Sequence, residues 1–328
     1  MKKIVNKSNL SVFDRKIVET YFKDKRCGVF DIETTGLNFN WDKIILTAIL
    51  TIENSTATVT QFLAEDPSEE KNIIKATLDY IKSEHIDYLL TYNGASFDIP
   101  FFKIKLKKHF EDTFFPYYNL DLYKIFRNHS NLKKLSTSLS QKSMENFMGI
   151  GNDRDDIIDG GKSVELYKEF VLTKDKGKEE LILTHNREDV FQLYRLLNLL
   201  KYCNFHSAMY EYGFLHSSLV VKPKLIKGYL KIVGKQYRYP ISIDTFGSFS
   251  TNYQANFDSN DRNFEILLPS FEEANGKYVD AHFIKDEKNQ LGLINGYLVI
   301  EENKIKKHRE INIFSMLIIN KILSDYGY

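Results

Sequence analysis

The sequence predicts a mixed α/β domain over residues 1–211, followed by a smaller β-rich domain over residues 212–328. Three runs rich in Ile, Val, Thr and Phe begin at residue 28, and a long helical pattern covers residues 178–202. Short alternating segments separated by turn-prone sequence follow residue 212. The chain has 328 residues, of which 43% are hydrophobic, so it can bury the cores of two domains.

The first domain is predicted to begin with three strands and to continue with alternating helices and strands. The runs GVFDIE, KIILTAILTIE and TATVTQFLA have short polar breaks between them, which predicts an antiparallel meander. A helix is predicted at SEEKNIIKATLDYIKSE, a fourth strand at IDYLLTYN, a second helix within GASFDIPFFKIKLKKHF and a fifth strand at YYNLDLY. The expected architecture is a five-stranded mixed sheet flanked by helices.

The clearest helix is KEELILTHNREDVFQLYRLLNLLKY, in which Leu181, Leu193, Leu196 and Leu200 recur at helical spacing. The second domain shows strand-like segments such as PISIDTF, FEILLPS and YVDAHFI, with breaks such as DSNDRN and EANGK between them. A terminal helix is predicted near INIFSMLIINKIL.

The net charge neither requires nor excludes a nucleic-acid partner, and the low cysteine content favours a reducing cellular compartment. The formal net charge is +1, so any attraction to phosphate must come from local basic patches. The two cysteines, Cys27 and Cys203, have no metal-type spacing, which is typical of a cytoplasmic protein. The first residues lack the apolar segment of a signal peptide, and we expect no membrane span.

Two carboxylates end the first strand-like run. Asp31 and Glu33 are two residues apart in GVFDIETTG, so in a strand they share one face. Unpaired carboxylates there would repel each other unless a divalent cation lay between them, and oxygen ligands suit Mg²⁺ or Mn²⁺. The alternative is a strand end with solvated acids.

Further acids follow later in the chain. Asp98 begins a helix after the strand that ends at Asn93, where the helix dipole alone would favour an acid. His185 and Asp189 are four residues apart and lie on one helix face, which could also be an ordinary polar face.

The order of these motifs resembles the DEDD superfamily of 3′–5′ exonucleases on the ribonuclease H-like fold. FDIETTGL is similar to its first motif, YNGASFD to its second and HNREDV to its third. Within that superfamily the run over residues 25–202 resembles the YprB-type ribonuclease H-like domain, including NLDLYKIFR and RDDIIDGGKSVELYKEF.

This resemblance implies a four-carboxylate site that holds two Mg²⁺ or Mn²⁺ ions. Asp31, Glu33, Asp98 and Asp189 would be the ligands, with Asp31 between both ions. The superfamily usually has a Tyr four residues before the last Asp or a His five residues before it, whereas His185 stands at the Tyr spacing. His185 would orient or deprotonate the attacking water, or would only hydrogen-bond a carboxylate.

Several nearby residues have two interpretations. Thr34 is a candidate substrate contact, and Asn93 either contacts substrate or caps a turn. Asp121 either supports the site or caps a helix. Asp155 and Asp156 either form a solvated turn or face the substrate.

The second domain begins with a basic and aromatic stretch. Residues 214–243 contain no acid, and Lys224, Lys231 and Lys235 are candidate nucleic-acid contacts. Lysines interleaved with Tyr229 and other tyrosines suit a single strand, although a lysine-protected sheet edge would have the same pattern. KIKLKKHF, near Asp98, is a second basic run.

The sequence thus predicts a metal-dependent 3′–5′ exonuclease that acts on the 3′ end of DNA or RNA, with a single strand as the expected substrate. One alternative is a nuclease-fold binding module with weak or no catalysis in a repair or processing complex. Another is a nuclease that cuts internally.

Overall fold

A computed structural model describes residues 1–9, 16–111, 115–151, 154, 158, 160–245 and 252–328. The described chain divides into two units. The first comprises Met1–Ile17 and Asp24–Cys203, and the second comprises Val18–Lys23 and Asn204–Tyr328. This division falls between Cys203 and Asn204, whereas the domain boundary predicted from the sequence lies slightly later, between residues 211 and 212.

The first unit contains a six-stranded mixed sheet. The strands are β1 (Lys2–Asn9), β2 (Cys27–Thr34), β3 (Ile44–Glu53), β4 (Thr56–Leu63), β5 (Tyr88–Thr91) and β6 (Tyr118–Asp121). Their order across the sheet is β1-β4-β3-β2-β5-β6. Neighbouring strands are antiparallel from β1 to β2, and β5 and β6 run parallel to β2. The predicted α/β class of ribonuclease H-like type is confirmed.

The sheet has one strand more than the predicted five. The additional strand, β1, pairs with β4 along its whole length, from Lys2 opposite Leu63 to Asn9 opposite Thr56. Its sequence, KKIVNKSN, is polar, and its side chains alternate between half-buried and exposed positions near its start. Such a strand at a sheet edge lacks the apolar run by which buried strands are recognised.

Helices cover the sheet of the first unit. They are α2 (Glu70–Ser83), α3 (Asp98–His109), α4 (Leu122–Asn128), α5 (Leu132–Leu135), α6 (Gln141–Phe147), α7 (Gly160–Thr173) and α8 (Lys176–Arg195), whereas most of α1 (Lys16–Phe22) belongs to the second unit. β3 is buried from Ile44 to Thr51 and contacts α2 and α8. The core combines Phe30 and Ile49 from the sheet with Ile74 and Phe102 from helices.

The second unit is β-rich and ends in a helix, as predicted. From residue 205 onwards its elements are α9 (Phe205–Tyr212), β7 (Phe214–His216), β8 (Leu219–Ile226), β9 (Tyr229–Gln236), β10 (Ile243–Asp244), β11 (Gln254–Asp258), β12 (Asn263–Glu273), β13 (Gly276–Asp280), β14 (Tyr297–Glu302), β15 (Ile305–Lys306) and α10 (His308–Asp325). The principal order of the strands is β15-β14-β13-β12-β9-β8-β7, and β11 joins β10 to β12. None of the helices in the described ranges is both long and apolar enough to cross a bilayer.

Candidate functional site

A cleft of about 590 Å³ opens where β2 ends in the first unit. It is bordered by the end of β2 and the loop that follows, by α6, α7 and α8, and by the segment that precedes α7. Its lining residues include Asp31, Glu33, Thr34, Gly36, Leu37, Phe97, Gln141, Lys142, Arg154, Ile158, Val164, His185 and Asp189. The acidic motifs from distant parts of the sequence therefore contribute to one cleft.

β2 carries Asp31 and Glu33 into this cleft on one strand face. The pairing with β3 shifts register immediately after them, because Glu33 lies opposite Leu46 while Thr34 lies opposite Ile44. Such a bulge bends the strand and changes the direction of the side chains beside it. The strand thus ends at the acid pair, and its backbone leaves the regular ladder there.

A relay of buried amides holds Asp31. The Asn186 Nδ2 group donates to Asp31 Oδ2 at 2.7 Å. Gln61 Nε2 in turn donates to Asn186 Oδ1 and to the Leu183 carbonyl, both at 2.9 Å. Gln61 and Asn186 are fully buried. The Asn186 amide donates through Nδ2 and accepts through Oδ1, so it has one favourable orientation, and Asp31 is held by contacts from α8 and, through Asn186, from β4.

Asp98 approaches from the start of α3. It is the first residue of this helix, and its side chain is buried. Its Oδ1 atom accepts a hydrogen bond from the backbone nitrogen of Ile32, at 3.2 Å, between the two acids of β2. A helix N-terminus favours a carboxylate, and this contact ties α3 to the strand that bears the acid pair.

Glu33, His185 and Asp189 form a group that could ligate a metal ion. One candidate ligand atom from each lies within 4.8 Å of the others. His185 Nε2 is 3.7 Å from Glu33 Oε1 and 3.5 Å from Asp189 Oδ2. Carboxylate oxygens with one imidazole nitrogen are a donor set that accepts divalent cations. The residues present therefore fit the metal that the sequence led us to expect.

The carboxylates of this cleft are held together against their mutual repulsion. Burial, followed by the charges of Asp98, Asp189 and Glu33, raises the pKa of Asp31 well above its usual range. Burial raises the pKa of Glu33 to about 7, although His185 opposes the shift, and burial likewise raises the pKa of Asp98 to about 7. A bound cation would relieve the repulsion among the ionised carboxylates, so acids gathered in this way favour the binding of cations.

Arg154 provides a positive charge at the edge of this acidic group. Its guanidinium donates to Asp189 Oδ1 at 2.5 Å and to both oxygens of Glu145 at 2.9 and 3.0 Å. Gln141 Nε2 donates to the same Glu145 and to the Asp189 carbonyl. Arg154 thus holds one oxygen of Asp189, while the other oxygen is the one that lies near His185.

The remaining first-unit candidates lie in two different places. Thr34 is buried at the cleft, and its hydroxyl donates to the Gly36 carbonyl at 2.6 Å. Asn93 is exposed, has φ 59°, and is not among the residues that line the cleft. Its backbone nitrogen donates to Asp121 at 2.9 Å. Asp121 also accepts from Tyr123 at the start of α4, which confirms the helix-cap interpretation.

The three candidate lysines of the second unit share one sheet face. Lys224 on β8 lies opposite Lys231 on β9, and Lys235 lies on the same side of β9. Their neighbours Leu230 and Ile232 are buried on the other side. Lys231 forms an ion pair with Glu265 of β12, and Lys235 Nζ is 3.4 Å from the Asp261 carbonyl. A groove of about 740 Å³ on this unit is lined by Lys222, Lys235, Asn256, Asn263 and Glu265, among others.

Sequence reasoning missed the residues that support the acids. Asn186 is adjacent to His185 in the third motif, but its pairing with Gln61 depends on contacts between distant parts of the chain. Arg154 stands in an acid-rich run that looks like a solvated turn, and Asp155 and Asp156 beside it lie outside the described residues. Glu188, the acid beside Asp189 in the third motif, is only 8% exposed, whereas an acid next to a candidate ligand on a helix would ordinarily be expected in solvent.

Comparisons with known proteins agree with the class of fold. A family model described as RNase_H superfamily matches residues 29–201. No curated protein matches this chain. Among solved structures, E. coli exonuclease I in complex with a dT13 oligonucleotide has 13% identity and a TM-score of 0.37, with 92% of this chain and 71% of that chain covered. The zinc-bound E. coli ExoI–ssDNA complex has 11% identity and a TM-score of 0.34, with 92% and 70% covered. Scores this low carry no argument about activity.

The change of Asp98→Asn is expected to stabilise the metal-free protein at high pH. The pKa of Asp98 is raised from its usual value of 3.8 to about 7 in the folded protein. The folded state therefore binds this proton more tightly than the unfolded state does, and the free energy of unfolding falls as pH rises between these two values. Denaturant unfolding in a chelator should show a gain on the order of 2–4 kcal/mol at about pH 8.5, and a smaller gain at about pH 5.5. The exposed Asp79→Asn should show no such dependence, and a loss of stability in Asp98→Asn at high pH would contradict the account.

Proposed function

This chain belongs to the RNase H superfamily, and we propose that it is a metal-dependent nuclease that removes nucleotides from the 3′ end of DNA or RNA. The observation that carries this proposal is that Asp31, Glu33 and Asp189 line one open cleft, with the buried Asp98 within Coulombic reach of Asp31. The pKa values of Asp31, Glu33 and Asp98 are all raised. Isolated acids would repel a phosphodiester, so this arrangement makes chemical sense for a cation-assisted reaction. Assignment to the DEDD exonucleases, and to the YprB type among them, belongs to this proposal.

The same four carboxylates are proposed to hold two Mg²⁺ or Mn²⁺ ions. Asp31 lies within Coulombic reach of the other three acids, since Asp98, Asp189 and Glu33 all raise its pKa, which supports a role as a ligand that both ions would share. Such ions, when bound, polarise a phosphoryl oxygen and lower the pKa of a bound water.

The chain's own residues position the acids and move the proton. Asn186 and the Ile32 nitrogen fix Asp31 and Asp98, so neither side chain has to reorient during the reaction. His185 lies close to Glu33 and Asp189 and is proposed to orient or deprotonate the attacking water. Its alternative role is to hydrogen-bond one of these carboxylates.

One observation favours a second candidate function, a nucleic-acid-binding module with weak catalysis. Arg154, whose side chain is 6% exposed, already holds Oδ1 of Asp189, whose side chain is 23% exposed. If this ion pair persisted, Asp189 would offer fewer oxygens to a cation, and the site would bind phosphate without efficient cleavage. The two functions differ in turnover, so a degradation assay separates them.

Lysines of the second unit are proposed to bind the nucleic-acid backbone. Lys224 and Lys231 are like charges placed opposite each other, and such a pair is destabilising unless an anion lies nearby. Glu265 meets this need for Lys231, while Lys222 and Lys224 share the face on β8. The lysine-rich face therefore suits a single strand tracked through its phosphates.

Asp31→Asn should abolish degradation of a 3′-labelled oligonucleotide in Mn²⁺ or Mg²⁺. We expect a rate loss of more than about a hundredfold, because the ligand proposed to be shared by both ions loses its charge. Asp79→Asn, an exposed change of the same kind, should degrade at the wild-type rate. A circular single strand should stay intact if the enzyme needs an end. An unchanged rate in Asp31→Asn would contradict the proposed mechanism, and cleavage of the circle would indicate internal cutting.

The combined change of Lys224, Lys231 and Lys235 to Glu should weaken binding of a single strand and reduce its salt dependence. Each lost phosphate contact lowers the slope of log affinity against log salt by about 0.7 for single strands. A matched control changes Lys285, Lys288 and Lys304 to Glu, which are exposed lysines of the same unit with the same total charge change. Equal losses in both variants, measured by anisotropy, would assign the effect to net charge alone.

A further inference from the structure

The loop between β2 and β3 is tightly braced. The Thr35 backbone nitrogen donates to the Lys43 carbonyl at 2.9 Å, which closes the base of the loop. The Asp42 carboxylate accepts from the Asn38 nitrogen at 2.8 Å and from the Thr35 hydroxyl at 3.0 Å. A Cβ on Gly36 would lie 2.6 Å from Asp42 Oδ2, so a side chain there would collide with this carboxylate. The loop therefore has a defined conformation.

The same loop also packs against α3 and against Phe97, the residue that precedes this helix. Phe39 packs against the rings of Phe97 and Phe101, with centroid distances of 5.8 and 5.2 Å. The buried Lys105 ammonium donates to the Asn40 carbonyl at 3.2 Å. The protein thus uses a buried cation and an aromatic cluster to hold residues 39 and 40.

The next residue is held out in solvent. Trp41, the single tryptophan of the chain, is 82% exposed, although its backbone nitrogen is bonded to Asn38 Oδ1 at 3.2 Å. The same loop lines the acidic cleft through Gly36 and Leu37. A fixed backbone that presents a large flat apolar side chain beside a reaction cleft is typical of a recognition surface.

The charge around this loop favours a polyanion. The pKa of Lys105 is lowered mainly by its burial; the Glu70 carboxylate raises it, and the ammonium groups of Lys108 and Lys43 lower it further. Lys43 pairs with Glu70 at 3.2 Å, so the acid offsets part of the charge of these three lysines. Lys142 lines the cleft itself. An exposed indole near several ammonium groups matches the paired needs of a nucleic-acid strand, whose bases stack and whose phosphates attract cations.

We infer that Trp41 is a stacking platform for an unpaired base of the strand that enters the cleft. This inference rests on the proposed nuclease function and adds the strand class to it, since bases inside a duplex already stack on one another. The indole ring would stack on the flat face of a base. Every base has such a face, so the contact would not depend on the nucleotide sequence. Trp41 is therefore a substrate-binding residue that takes no part in the proton transfers.

The emission of Trp41 reports this contact directly. The probe is a phosphorothioate oligothymidylate, which resists hydrolysis, titrated in Mg²⁺ buffer with excitation selective for tryptophan. We expect quenching of the emission by the single strand, and none by a blunt duplex of the same backbone chemistry. By anisotropy, Trp41→Ala should weaken binding about tenfold and Trp41→Phe by less, as the smaller ring still stacks. Leu172→Ala, which removes another apolar side chain that is 85% exposed, should bind as the wild type does.

The outcomes separate this inference from the proposed function. Suppose the wild type binds the probe and degrades an unmodified oligonucleotide in Mn²⁺. If its emission then stays unchanged and Trp41→Ala binds equally well, the stacking role is overturned and the nuclease proposal stands. If the wild type neither binds the probe nor degrades the oligonucleotide, the proposed function fails and the stacking role fails with it. Equal quenching by duplex and single strand also contradicts the stacking role.

Discussion

The mutual repulsion of buried carboxylates at the end of β2 is the constraint on which the structure of the first unit depends. Asp31, Glu33 and Asp98 all have raised pKa values, because burial removes the water that would stabilise their charges. Gathering them destabilises the fold unless cations are bound. The surrounding structure therefore has to hold each side chain in place by other contacts.

Those contacts come from rigid parts of the fold. β3 is buried between helices, the backbone of Ile32 anchors Asp98, and the Gln61–Asn186 relay anchors Asp31. Arg154 offsets part of the negative charge through Asp189. Because these contacts prevent the acids from moving apart, cations can bind without further rearrangement of the site. Acids on an open surface lack this preorganisation.

Much of this was predictable because the signals are local. An apolar run that ends in Asp31 and Glu33 predicts β2, and the helical spacing of the leucines predicts α8. The helix predicted to reach Tyr202 is α-helical only to Arg195 and continues as a 3₁₀ helix over Leu196–Tyr202. β1 was missed because a polar edge strand is defined by its partner, β4, and has little pattern of its own. Arg154 and Gln61 were missed for the same reason, since their roles exist only between segments that are distant in sequence.

Counting bound Mn²⁺ tests the central claim most directly. Electron paramagnetic resonance reports free Mn²⁺, so a titration of the full chain without nucleic acid gives the number of ions bound and their affinities. The account predicts up to two ions on the wild type, weaker binding as pH falls below about 7, where Glu33 and Asp98 take up protons, and a large loss of binding in Asp31→Asn. Absence of saturable Mn²⁺ binding, or binding that Asp31→Asn leaves unchanged, would contradict it.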